Sequence, residues 1–196
     1  MIRSNKLDVL VFDFFGVICS EVAPFWLARY FSPDDAIAIK RDIVGRADTG
    51  EISQEELFKQ LGELSGQTAS SVVEQWMQHV LICDPIVKLL DEYSQRFRLA
   101  LLTNSPSPFV RQILEFWNLS NRFESIVVSS EVALAKPDPR IYMLMLERIQ
   151  ATPAQCLMID DNLQNINGAE AVGMRGHHFL DEPRLRKTLY QLSVKT

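Results

Sequence analysis

The sequence predicts an α/β fold: a core of about five parallel strands with helices on both faces, and a small helical-bundle cap inserted into it. Three observations lead there. The stretch LDVLVFDFFGVI, Leu7 to Ile18, opens with a nearly unbroken run of apolar residues, Leu7, Val9, Leu10, Val11 and Phe12. Such a run, rich in β-branched and aromatic residues, suits a strand buried on both faces of a parallel sheet. From Asp84 onward, helical and strand patterns alternate, which implies parallel strands joined by right-handed crossovers. Between these regions, from about Glu21 to Cys83, every pattern is helical, and the segment is too long for an ordinary connection. The expected division is a core formed by residues 1–19 and 84–196 and a helical cap over residues 20–83, with hinges near Cys19 and Asp84.

In chain order, the first strand ends at Asp13. In the cap, Trp26, Leu27, Tyr30 and Phe31 fall at helical spacing. Ser32-Pro33 followed by Asp34 and Asp35 supplies an N-cap, a first-turn proline and acids at the positive end of the helix dipole. Ser53 and Glu56 form a capping-box pattern ahead of Leu57, Phe58 and Leu61. Val72, Val73, Trp76, Met77 and Val80 make an apolar stripe over Ser70 to Val80. Beyond the cap come a helix from Pro85 to Tyr93, a strand from Phe97 to Thr103, a helix from Pro108 to Trp117 and a strand from Ile126 to Ser129. Asp138 caps a helix from Pro139 to about Gln150 with Ile141, Leu144, Met145 and Ile149 inward. A strand from Cys156 to Ile159 ends at Asp160 and Asp161. A helix from Leu163 to Val172 closes at Gly173. A fifth strand is expected over His177 to Leu180, then a helix from Pro183 to Leu192.

The chain has 196 residues, 47% hydrophobic and 23% charged, close to ordinary globular composition, and so fits one domain carrying a modest insertion. A net charge of −5 argues against a general nucleic-acid binder, which needs a basic face. No apolar run reaches the length of a membrane span. The opening MIRSNKLD lacks the pattern of a signal peptide, and three scattered cysteines, Cys19, Cys83 and Cys156, suit reduced thiols; the expected location is cytoplasmic.

Three predicted strands end in polar groups, at Asp13, at Thr103-Asn104 and at Asp160-Asp161. In a parallel sheet these share one edge, the edge where open α/β sheets bind ligands. Carboxylates gathered there repel one another unless a cation lies between them, and hard oxygen ligands suit magnesium. Lys136, ahead of Pro137-Asp138-Pro139, brings a positive charge to the same edge. The combination describes an anion site with a carboxylate placed to attack.

These segments, DFFGVI, LLTNS, AKPDPRIY and MIDDNLQN, in this order and spacing, resemble the four motifs of the haloacid dehalogenase superfamily of hydrolases. The resemblance spans almost the whole chain and implies a Rossmann-like core. It is greatest to the branch with a small helical cap after the first motif, which includes sugar-phosphate phosphatases and the phosphatase domain of soluble epoxide hydrolases. The resemblance implies that Asp13 is the nucleophile, forming an aspartyl phosphate that water hydrolyses. It implies that Thr103, with Asn104, and Lys136 hold the phosphoryl group, and that magnesium binds Asp13, the backbone carbonyl of Phe15 and Asp161. Asp160 and Asn165 support the lysine or the metal shell. The implied substrate is a small phosphorylated metabolite.

One position departs from the family's phosphatase pattern. The acid/base Asp two residues after the nucleophile is replaced by Phe15, which predicts slow turnover or dependence on good leaving groups. Two alternatives stand beside the phosphatase. A vestigial binding protein would keep the metal site without turnover. A 2-haloacid dehalogenase would match the aromatic Phe15 but not the Asp160-Asp161 pair. Arg41, Arg46, Lys40 and Lys59 in the cap are read as solvated surface charges, Trp26, Trp76 and Met77 as cap core with one aromatic allowed at the substrate entrance, and Cys19 as an inert buried thiol. His177 and His178 are read as too far from the motifs to be ligands.

Overall fold

The computed structural model describes residues 6–194, so residues 1–5 and 195–196, which the expected core limits and the reading of the N-terminus include, lie outside the described part. Five strands form one sheet: β1 (Val9–Phe12), β2 (Arg98–Thr103), β3 (Ser125–Val128), β4 (Cys156–Asp160) and β5 (Arg175–His178). All pairs are parallel, in the order β3-β2-β1-β4-β5. Phe12 lies opposite both Leu101 and Ile159, so the carboxyl ends of the central strands come level. The chain moves outward from β1 through β2 to β3, then crosses back to β4 on the other side. Ligand crevices of open α/β sheets lie at such a reversal, here between β1 and β4.

Alternate side chains of these strands feed two cores. Leu10, Phe12, Leu101 and Ile159 face one side, where α6 (Asp84–Tyr93), α7 (Ser107–Phe116) and α11 (Glu182–Val194) pack. Val9, Val11, Ala100 and Met158 face the other, under α9 (Pro139–Arg148) and α10 (Leu163–Ala171). A short helix, α8 (Ser129–Val132), follows β3.

The chain between β1 and α6 is helical: α1 (Ala23–Tyr30), α2 (Pro33–Ile39), a π-helical turn (Lys40–Val44), α3 (Gly45–Asp48), α4 (Gln54–Ser65) and α5 (Ala69–Gln78). Ser32 caps α2 by accepting from the Asp35 N–H at 3.3 Å, and Ser53 caps α4 by accepting from that of Glu56 at 3.2 Å. The two strands of chain joining this bundle to the sheet run side by side: the Ser20 N–H donates to the Leu81 carbonyl, and that of Cys83 to Ile18, at 2.9 and 2.8 Å.

Two local expectations shift. β5 begins two residues early because the left-handed turn at Gly173, φ 90°, leads straight from α10 into the sheet. Gly176 is then pressed against α10, where a Cβ would lie 2.6 Å from Ile166. The run from Lys40 to Asp48, for which the sequence offered no apolar stripe, continues α2 through the π-turn. Among the described residues no helix is long and apolar enough to cross a membrane.

Candidate active site

Asp13 is the first residue past β1, and its N–H donates to the Ile159 carbonyl at 2.9 Å, which seats it beside the end of β4. Lys136 reaches in from the loop before α9 and joins two carboxylates, Asp13 Oδ1 at 2.9 Å and Asp160 Oδ2 at 2.6 Å. Both Lys136 and Asp160 are buried, so this ion pair acts in a medium of low polarity. Asp160 is held further by Asn165 Nδ2, 3.0 and 3.1 Å from its two oxygens, and by the Asn162 N–H at 2.9 Å. Asn165 therefore acts on Asp160 rather than on the lysine itself.

Asp161 completes a group of three carboxylates with Asp13 and Asp160, whose candidate ligand oxygens all lie within 4.8 Å of one another. Gly16 makes this approach possible: its φ is +80°, and a Cβ there would sit 2.2 Å from Asp161 Oδ2. Burial and then repulsion from Asp160 hold the Asp13 carboxyl well above the ordinary carboxylate value, against the pull of Lys136. Asp161 is raised by the same two causes. Burial alone would lower Lys136, yet Asp13 and Asp160 keep its ammonium above the usual lysine value.

At the end of β2, Thr103 is fully buried and its hydroxyl has no partner among the described residues. Asn104 is committed differently: its side chain accepts from the Lys136 N–H and donates to the Lys136 carbonyl, both at 2.9 Å. It thereby fixes the loop that carries the lysine. Asp13, Asn104, Lys136, Asp161 and Asn165 line a cavity of about 190 Å³, whereas Thr103 and Asp160 lie behind its wall.

A family profile described as haloacid dehalogenase-like hydrolase matches residues 7–173. The chain belongs to this family. It is 30% identical to the sesquiterpene phosphatase AstK of Aspergillus oryzae, over 74% of this chain and 76% of that protein. Among solved structures, a HAD family enzyme of Bacteroides thetaiotaomicron, determined with magnesium and inorganic phosphate, superposes with a TM-score of 0.72 at 20% identity, covering 88% of this chain and 93% of that one. A 2-haloacid dehalogenase of Pseudomonas syringae shares the fold with a TM-score of 0.59 at 16% identity, covering 87% and 85%. The fold alone therefore does not separate the two chemistries.

The haloacid dehalogenase-like core is closed over by residues whose roles the sequence did not reveal. Phe15 lines the cavity with its ring stacked on Phe109, centroids 6.1 Å apart. Phe109 in turn meets Phe58 and Trp76 of the helical bundle at 6.3 and 5.6 Å. Position 15 is thus part of an aromatic seam between bundle and sheet. Trp76 also lines the cavity, whereas Trp26 is fully buried in the bundle. Lys40 is exposed, as read from the sequence, and also lines the cavity together with Glu21 and Asp48. Lys59, Arg41 and Arg46 are exposed, each paired with an acid on the bundle surface. His178 is nearer the motifs than expected, with its Nε2 2.9 Å from the Asp161 carbonyl, on the backbone and not on the carboxylate cluster. Burial raises the Cys19 thiol to about 11, in keeping with an inert role.

Proposed function

We propose that this protein is a magnesium-dependent phosphatase that hydrolyses a small phosphorylated metabolite through an aspartyl phosphate on Asp13. The observation that carries the reading is the Lys136 ammonium held between Asp13 and Asp160, with the Asp161 carboxylate beside them at one end of the cavity. Lys136 cancels one of the three negative charges; the two that remain match a divalent cation of hard-oxygen preference. The Phe15 carbonyl accepts no hydrogen bond among the described residues and is free to join Asp13 and Asp161 as a ligand. Bound there, magnesium would neutralise negative charge on the transferring phosphoryl group.

In this reading Asp13 attacks phosphorus while the orphan Thr103 hydroxyl donates to a phosphoryl oxygen and Lys136 offsets the growing charge. Asp160, held by Asn165, fixes the lysine. Asn104 contributes by bracing the Lys136 loop. Residues 20–83 serve as a cap over a core of residues 1–19 and 84–196, and select the leaving group from the upper wall of the cavity. A cytoplasmic setting fits the reduced cysteines.

A dehalogenase reading draws on Phe15 and on the shared fold, but leaves the carboxylate cluster without a purpose. A panel of phosphate monoesters assayed with magnesium and with chelator separates the two. The expected result is phosphate release that needs magnesium and falls to background in Asp13→Asn, with folding kept. Halide release from 2-haloacids in excess chelator would establish the dehalogenase instead.

A further inference from the structure

The bundle side of the cavity contains polar groups that the reading above leaves unused. Asp48, the last residue of α3, is half-buried in the cavity wall. Its carbonyl accepts a hydrogen bond from Ser129 Oγ, which also accepts from the Ser105 N–H at 2.9 Å, two residues past Thr103. The end of α3 is therefore clamped to the loop that leaves β2, which fixes the Asp48 backbone at the wall of the cavity that Asp13 and Lys136 also line. Its carboxylate makes no hydrogen bond or ion pair among the described residues. Trp76 lines the same cavity and is 3% exposed, with its Nε1–H buried and unpartnered among the described residues. Buried polar groups are almost always satisfied, so an unpartnered Trp76 donor on a residue of the same cavity wall as the unpaired Asp48 carboxyl points to a ligand bound in this cavity. Phe15, meanwhile, presents only a ring stacked into the aromatic seam.

We propose that Asp48 is the general acid and base of this enzyme, protonating the leaving-group oxygen from the cap in place of the carboxylate absent at position 15. The proposal rests on the phosphatase reading. As the Asp13 oxygen bonds to phosphorus and the bond from phosphorus to the leaving oxygen breaks, the proton of the Asp48 carboxyl passes to that oxygen, giving an alcohol and an Asp48 carboxylate. The carboxylate then takes a proton from water as the water oxygen attacks phosphorus. The bond to Asp13 breaks, releasing inorganic phosphate and restoring both acids to their starting states.

The surroundings suit both steps. Burial raises the Asp48 carboxyl to about 7, with Lys40 drawing it down, Glu21 pushing it up and Lys136 drawing it down again. The other charged groups nearby are engaged elsewhere: Arg46 with Glu51, Arg41 with Asp42, and Glu131 on α8 with Arg111. An acid and base that titrates near neutrality supplies either form at low cost. Glu21 also lines the cavity; burial raises its carboxyl, Lys40 draws it down, and Asp161 and Asp160 push it up, so it feels the carboxylates at the end of the sheet as Asp48 does not.

The test compares Asp48→Asn, Glu21→Gln and Asp13→Asn with the wild type in magnesium, using nitrophenyl phosphate and an alkyl phosphate. Nitrophenolate leaves without a proton, whereas an alkoxide does not. Asp48→Asn is expected to keep a stoichiometric burst of nitrophenolate near the wild-type rate and to lose roughly 10²- to 10⁴-fold in alkyl phosphate turnover. The fall in alkyl phosphate turnover above about pH 7 disappears with it. Unchanged alkyl phosphate turnover, a nitrophenolate burst slowed as much as alkyl phosphate cleavage, or the same signature in Glu21→Gln instead overturns the proposal. A wild type that hydrolyses neither ester, or an Asp13→Asn that still does, overturns the phosphatase reading itself.

Discussion

Three carboxylates crowd one ammonium at the end of this sheet, and the balance among them bears on stability. Asp161 is raised above the ordinary carboxylate value of 3.8 by burial and by Asp160. The native state therefore binds more protons than the unfolded chain across that window, and stability falls as pH rises through it. Asp161→Asn removes the charge that causes the fall. In chelator at pH 7 it should be more stable than wild type, with a higher Tm. The gain should vanish below the ordinary carboxylate value. The same variant should lose the rise in Tm that magnesium gives the wild type. Thermal melts with magnesium and with chelator, at two pH values, check both halves; a variant that melts lower than wild type in chelator would show that Asp161 is not held at an energetic cost.

Elements were legible where local chemistry decides them. Ser32, Ser53 and Asp138 cap their helices as the sequence indicates, because an N-cap needs only one side chain and the N–H two or three residues on. The buried strands were legible because a strand covered on both faces has no polar side. The segment from Lys40 to Asp48 was not, since its shape is imposed by what it sits on. Just past α3, Gly50 has φ +74°, and a Cβ there would lie 2.6 Å from the Ser130 carbonyl. No neighbouring residue in the sequence announces that contact, because Ser130 is far along the chain. Gly50→Ala should cost more than about 1 kcal/mol through the left-handed backbone, with a further cost from the clash. It should also tilt α3 off the β2 loop. Urea unfolding measures the first effect. The second is a larger drop in alkyl than in nitrophenyl phosphate turnover, because the shift acts on Asp48 and leaves Asp13 in place.

At the scale of the molecule, parallel strands were implied by alternation, and a shared carboxyl edge followed from them, so Asp13, Thr103, Lys136, Asp160 and Asp161 could be gathered from the sequence alone, whereas the order β3-β2-β1-β4-β5 could not. The opposite wall could not. Glu21, Lys40, Asp48 and Trp76 come from four separate places in the helical insertion, and only packing brings them to one cavity. Phe15 belongs to both walls: it lies two residues past Asp13 and stacks on the seam that ties the bundle to the sheet. Replacing it with the family's acid therefore does two things. Phe15→Asp should lose about 2 kcal/mol of stability with the ring's burial and stacking. If Asp48 already supplies the proton, alkyl phosphate turnover should rise less than tenfold, because a second acid adds little to a filled role. In the Asp48→Asn background the same substitution should recover activity by more than tenfold, since the role is then empty. Kinetics of the two single variants and the double variant, each checked for folding, make this a closed cycle. A gain of ~10²- to 10⁴-fold in Phe15→Asp alone would mean that the acid/base position stands empty in the wild type, and Asp48 would lose its assignment.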